Sequence, residues 1–452
     1  MDDRLALMDQ GSFLGLRALG HQPFFHATWT YDRNVDLDAL RRFNENLGAT
    51  LLGRLVEPSP LPGGRHRWVA IDRIPDIEIE AVARSRDDVM AWTDEFGDHG
   101  ADPQHGPGWR IGVLPLTDGG TAVTMIVSHT LGDGLCVLQA IADAVEGRAR
   151  RPDYPTRGTR RRSAVLWSDL VRFLRDVPAM LRAVAAGIRV ARAQSTPKST
   201  RRSRHQPAPP TTPPPTPSPR SGPFHTPVAV VRIPQAVWDA AAAGRNGTSN
   251  TLVAAVAARL GARFERTDAD GIVTLAMPVS VRVDGDTRAN ALEAATIRID
   301  PTDLADDLTG LRSATKAALI ATADRSPDTT AALALVPLMP AVAVRRGEAM
   351  AMGASALPVG CSNYGEMPAA VARIDGSDAD DLWVRLNELG QKPADLDRIG
   401  GQLYVLSGRT LGSVFLSIVA QPVGGGLDSD ELRRLVSATL EDFDLTASPV
   451  TR

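Results

Sequence analysis

Cysteine is almost absent: the 452 residues hold two, Cys136 and Cys361, far apart in the chain. That excludes a disulfide scaffold and the paired spacing of a zinc site. An excess of one charge is also missing. The net charge is −3, so bulk electrostatics gives no reason to expect nucleic acid. No run reaches the roughly 18 apolar residues that a spanning helix needs. The start, Met1-Asp2-Asp3-Arg4, is acidic and lacks an apolar signal core, so a cytoplasmic protein is expected. There is no Gly-rich phosphate loop and no Gly-x-Ser-x-Gly elbow beside a suitable strand. His21, His26, His66, His99 and His105 have no mutual spacing that reads as a metal site, and His205 and His225 fall in or beside a proline-rich stretch. No bound metal or prosthetic group is expected.

What is present is a soluble globular composition, 43% apolar and 23% charged, in a chain long enough for two or three domains. One stretch organises the rest. Thr121 to Val127 is a β-rich run entered through Asp118-Gly119-Gly120, which predicts a buried strand after a tight turn. Leu135 to Val145 has the i, i+3, i+4, i+7 spacing of a helix face. Between them lies Ser128-His129-Thr130-Leu131-Gly132-Asp133-Gly134. His129 therefore sits where a core strand ends, and Asp133-Gly134 where a helix begins. A neutral imidazole there could act as a general base at the lip of a cleft. The plainer reading is a helix-capping Asp beside a structural His. Gly134 would allow close backbone approach where a side chain would block the cleft.

The pattern His-x-x-x-Asp-Gly resembles the active-site motif of the acyl-CoA-dependent acyltransferase superfamily, which includes chloramphenicol acetyltransferase and the condensation domains of peptide synthetases. Other stretches are similar to the bacterial wax ester synthase/diacylglycerol acyltransferase family: Leu7-Met8-Asp9-Gln10-Gly11-Ser12-Phe13-Leu14, a helix after Asp36, Arg67-Trp68-Val69, and Gly108-Trp109-Arg110 ahead of the His motif. That family has two adjacent histidines where this chain has Ser128-His129. Further on, Pro278-Val279-Ser280-Val281-Arg282 followed by Asn290, and then Ser362-Asn363, fall in the family's order. After Ser362-Asn363 the family's Gly-Pro turn is replaced by Tyr364-Gly365-Glu366-Met367-Pro368.

Elsewhere, strands are predicted over 24–31, 67–71, 109–116, 228–233, 271–282, 294–299, 403–408 and 413–420. Helices are predicted over 36–47, 87–96, 234–243, 251–260, 302–325 and 428–443, while residues 5–20 read as a short apolar lead-in. A long helix over 164–194 carries Arg172, Arg175, Arg182, Arg189 and Arg192 against Asp169 and Asp176, just after the basic run Arg157 to Arg162. It reads as a helix packed on its lobe with a solvated arginine face; the rival is a helix lying on an anionic membrane surface. Residues 196–227, rich in Pro and Thr, are expected to form a disordered or polyproline linker. The apolar run from Ala331 to Val344 is broken by Pro337 and Pro340, and suits a kinked helix lining a channel or a core element.

The resemblance implies an α/β (α+β) fold: two chloramphenicol-acetyltransferase-like lobes, each a mixed sheet flanked by helices, around a central cleft or tunnel. The lobes would be residues 1–195 and 228–452. It implies acyl transfer from acyl-CoA, a cosubstrate, to a hydroxyl such as that of a long-chain alcohol or diacylglycerol. His129 would be the base, and Asp133 would hold the loop by pairing with an arginine, for which Arg282 is the candidate. Asn363, beside Ser362, could line the cleft and donate to the oxyanion, or simply make a turn. Two rivals stand: a condensation-like enzyme fed by an acyl carrier protein, and a non-catalytic lipid or acyl-CoA binder.

Overall fold

Strand and helix signals near His129 translate directly into structure in the computed structural model, which describes residues 3–195, 224–323, 332–342, 344 and 357–450. In chain order the first half forms α1 (Leu7–Leu19), β1 (Gln22–Tyr31), α2 (Leu37–Leu47), β2 (Arg54–Glu57), β3 (Arg67–Ala70), β4 (Glu78–Ile79), α3 (Val89–Gly97), β5 (Trp109–Pro115), β6 (Thr121–Ser128), α4 (Gly134–Val145) and α5 (Arg162–Ser195). The second half forms β7 (Val228–Pro234), α6 (Gln235–Gly244), α7 (Ser249–Arg263), β8 (Val273–Ser280), β9 (Leu292–Ile299), α8 (Thr309–Ala323), β10 (Val359–Glu366), β11 (Asp381–Leu389), α9 (Pro393–Arg398), β12 (Gln402–Thr410), β13 (Ser413–Gln421), α10 (Ser429–Glu441) and β14 (Ser448–Pro449).

All eight residues of β6 are buried, as expected of a strand covered on both faces. It is central in a five-stranded sheet of order β11-β1-β6-β5-β4. The second sheet has seven strands, ordered β14-β7-β13-β12-β10-β8-β9, and β2 and β3 form a separate pair. The chain is thus an α/β molecule of two mixed sheet-and-helix lobes. One crossing ties them. β11, from the second half of the sequence, pairs antiparallel with β1 from Gln22↔Leu389 to Thr30↔Asp381. Trp29, buried in β1, donates its indole N–H to the Val371 carbonyl at 2.8 Å.

Helix starts follow the capping chemistry in the sequence. Asp36 accepts from the amides of Asp38 and Ala39, Thr248 from that of Thr251, and Asp428 from that of Glu431. The body of α7 is buried on all sides, Leu252 through Ala258 being inaccessible; each of its larger side chains contributes about 2 kcal/mol of burial.

Several expectations differ from the structure. The apolar lead-in is a helix, α1, ended by Gly20 at φ 81°. The helix expected from 302 starts at Thr309, because Asp300 first makes a turn with Thr302 and Asp307 accepts from the Thr309 amide and hydroxyl. Residues 332–338 form a short 3-10 turn lying against α1 and α5, not a wall of the main cavity. Of the expected linker, 196–223 lies outside the described residues. Residues 224–227 are seated: Thr226 bonds Gln391 and the Pro227 carbonyl accepts from the Ala420 amide. No helix among the described residues is long and apolar enough to cross a membrane.

Candidate active site

His129 follows the last residue of β6 and is fixed by its backbone. Its N–H donates to the Pro23 carbonyl at 3.1 Å, while the preceding Ser128, itself buried, donates to the Gly108 carbonyl at 3.2 Å. The chain then turns, the Leu131 amide bonding the Ser128 carbonyl at 2.9 Å, and α4 starts under an Asp133 cap.

Asp133 is saturated with donors. One carboxylate oxygen accepts from the Cys136 amide at 2.8 Å; the other accepts from Arg282 Nη2 at 2.8 Å and the Ala291 amide at 2.9 Å. The Asp133 amide donates to the Ala289 carbonyl. Arg282 also spans the Arg288 and Ala289 carbonyls at 2.9 Å. With 1% of its side chain exposed, Asp133 does not face the cavity. It staples the His loop to the segment after β8.

Three further residues hold this junction: Arg54, which no sequence signal marks, and Asn290 and Asp9, which the sequence marks only by falling in stretches of resemblance. Arg54, fully buried and stacked 4.1 Å over Trp68, donates to the Leu131 and Thr287 carbonyls. Asn290 donates to the His129 carbonyl at 3.3 Å. Asp9 of α1 accepts the Ala289 amide at 3.0 Å and the Asn290 amide at 2.7 Å. The only signal for Asp9 is a carboxylate in an apolar helix, inside the Met8-Asp9-Gln10 stretch. Burial raises its pKa, against Arg54 and the hydrogen bonds that lower it.

The imidazole of His129 lines a cavity of about 640 Å³ between the lobes. Gly134, Leu135 and Leu386 line it with His129, facing Met277, Val279, Leu292 and Tyr404 of the second sheet. Burial lowers the His129 pKa from its ordinary 6.5; the Asp133 charge and hydrogen bonds to its own backbone and to Asn290 oppose this. The net result is a neutral ring at pH 7.

On β10, Ser362 bonds the Tyr404 hydroxyl. Asn363 lines the cavity with its amide engaged: it donates to Asn250 Oδ1 at 3.3 Å and accepts from the Gly365 amide at 2.9 Å, a local turn at Gly365 (φ 65°). Tyr364, which sequence reasoning passed over, points into the same cavity. Its hydroxyl has no hydrogen-bond partner among the described residues, and burial holds its pKa well above 10, so it remains a donor. Tyr404 is pushed up to about 12 for the same reason. Both cysteines are free and buried, their thiols pushed up to about 11 for Cys136 and about 12 for Cys361, which leaves neither as a nucleophile.

No family model matches the sequence, and no curated protein matches it. Solved structures do match. The first condensation domain of the CDA synthetase aligns over 99% of this chain and 99% of its own, at TM-score 0.54 and 12% identity. This is the two-lobed fold of condensation domains and chloramphenicol-acetyltransferase-like acyltransferases. The Fusarium sporotrichioides protein TRI101, solved with coenzyme A and T-2, aligns over 99% of this chain and 100% of its own, at TM-score 0.55 and 12% identity. The nonribosomal peptide synthetase FmoA3 aligns over 98% of this chain at TM-score 0.53 and 18% identity. This chain spans 44% of that synthetase's length. At these identities the likeness is one of fold.

Proposed function

We propose that the chain is an acyltransferase that moves an acyl group from a thioester to a hydroxyl, with His129 as general base. The observation that carries this reading is the neutral imidazole of His129, held by its backbone at the wall of a largely apolar cavity between two lobes. The imidazole of His129 takes the proton of the acceptor hydroxyl as its oxygen attacks the thioester carbonyl. Collapse of the tetrahedral intermediate breaks the C–S bond, and the imidazolium returns the proton to the thiolate. The products are an ester and a free thiol, and no acyl-enzyme is needed. Preorganisation of the base by Asp133, Arg282, Asn290, Asp9 and Arg54 supports the reading, because a base held in position avoids reorganisation at the moment of transfer.

The apolar lining favours a fatty acyl group, and the sequence resemblance to wax ester synthases favours acyl-CoA as donor and a long-chain alcohol or diacylglycerol as acceptor. The test is release of free CoA by the purified protein, with acyl-CoAs of increasing chain length against alcohols, diacylglycerol, sugars and amines, beside His129→Ala. Acceptor-dependent release lost in the variant supports the reading; full activity in His129→Ala overturns the mechanism. The full-length match to a condensation domain favours one second reading, a donor presented by a carrier protein. Turnover only with carrier-loaded acyl groups would select it. Binding of acyl-CoA without turnover of either donor would leave a non-catalytic binder.

A further inference from the structure

The long helix α5 is amphipathic in an unexpected sense: its apolar stripe faces outward. Trp167 is 68% exposed, Leu174 60% and Leu181 65%, and Leu166, Leu170 and Val184 are exposed beside them. At about 3.6 residues per turn these six side chains fall within an arc of about 100°, along about 27 Å of helix. The opposite arc is buried by Asp169, Met180 and Ala183. The stripe continues onto the segment after the 332–338 turn. Leu338 and Phe173 both lie beside Gly63, and Leu338, Met339 and Val342 are exposed.

Charge is sorted on the same helix. Asp169 turns inward, where it pairs with Arg67 and accepts from Ser59 at 2.6 Å, and Asp176 meets Arg4 at 3.6 Å. Arg175 and Arg182 are exposed along one edge of the apolar stripe, and Arg161 is exposed at the start of the helix. The outward face therefore offers apolar side chains edged by arginine, with the acids of that stretch paired on the inner side. An arginine beside an apolar stripe can lay its methylenes on hydrocarbon while its guanidinium reaches a phosphate.

We propose that this face of α5, continued by residues 338–342, docks onto a lipid surface carrying anionic headgroups. Charge complementarity selects that occupant: an apolar protein partner needs no arginine edge, and a neutral bilayer makes no use of one. The inference goes beyond the acyl-transfer reading and is read without turnover, so either can fail alone.

The test is flotation of the full chain with vesicles of phosphatidylcholine alone and of phosphatidylcholine with about one-third phosphatidylglycerol. We expect at least tenfold stronger binding to the anionic vesicles, weakened about tenfold in 0.5 M salt. Trp167→Ser/Leu174→Ser/Leu181→Ser is expected to abolish binding, and Arg175→Glu/Arg182→Glu to weaken it about tenfold. All five positions are surface positions, and circular dichroism checks that each variant folds; if the triple variant does not, the arginine variant decides. Absence of vesicle binding, equal binding to both compositions, or undiminished binding by the variants overturns the proposal. So does a dimer in solution that the triple variant abolishes, since a second copy would then cover the face.

Discussion

Gly134 and Tyr364 compete for one space: a Cβ on Gly134 would overlap the ring and hydroxyl of Tyr364. The first residue of α4 is thus bare so that a phenol from β10 can stand against it, beside the cavity that His129 lines. Gly134→Ala must displace the ring, an overpacking that costs about 1–3 kcal/mol. We expect at least a tenfold loss of turnover with the fold retained. Gly134→Ala/Tyr364→Ala should recover stability relative to the single variant. Thermal denaturation and CoA release on both proteins check it; an unchanged Gly134→Ala would contradict the geometry.

The pH dependence follows from the sign of the His129 shift. Only the neutral ring accepts a proton, and burial lowers its pKa below 6.5. The active form therefore persists to lower pH than for a free imidazole. kcat/KM should fall with one protonation whose midpoint lies below pH 6.5. Tyr364, held well above 10, adds no basic limb in this range. An acid limb centred above 6.5 would contradict the assignment.

Arg282 and Asp133 form an ion pair at 2.8 Å with side chains 15% and 1% exposed. Arg282→Met leaves the carboxylate buried against its two backbone donors alone, and removal of one partner of such a pair costs about 3 kcal/mol. Turnover should fall with stability, because the arginine also ties the Arg288 and Ala289 carbonyls to the His loop. Asp133→Asn/Arg282→Met should lose less than the sum of the single variants. A double-mutant cycle in chemical denaturation measures the coupling; strict additivity would mean that the pair does not act as a unit.

What the sequence disclosed about this site was local. The run before His129, the helix after it and the capping Asp133 lie within about one strand and one helix, so periodicity and cap chemistry reached them. Ser362 and Asn363 could be named by resemblance, yet their hydrogen bonds tie Asn363 into a turn, and among the described residues the cavity hydroxyl without a partner is that of Tyr364. The roles of Asp9 and Arg54 were not legible because they act on backbone groups of loops that only the folded chain brings near: Asp9 bonds amides 280 and 281 positions away, Arg54 a carbonyl 233 positions away. The entry of β11 into the first sheet was silent for a similar reason. An antiparallel strand carries no mark of which edge it will join, and Trp383 and Val384 would be buried in either lobe.

The hairpin of β12 and β13 carries a local conflict that a substitution should relieve. Thr410 pairs with Ser413, so the connection is Leu411-Gly412, with φ of 50° and 70°. A two-residue turn with both φ values positive favours Asn-Gly. Leucine in the left-handed region costs about 1–2 kcal/mol, whereas asparagine enters it readily. Leu411 is exposed, so little burial is lost on its replacement. Leu411→Asn should therefore stabilise the chain by about 0.5–1 kcal/mol, with CoA release unchanged, since the turn does not line the His129 cavity. The denaturation midpoint checks it. A lower midpoint would mean that the leucine side chain contributes more at this corner than its backbone conformation costs.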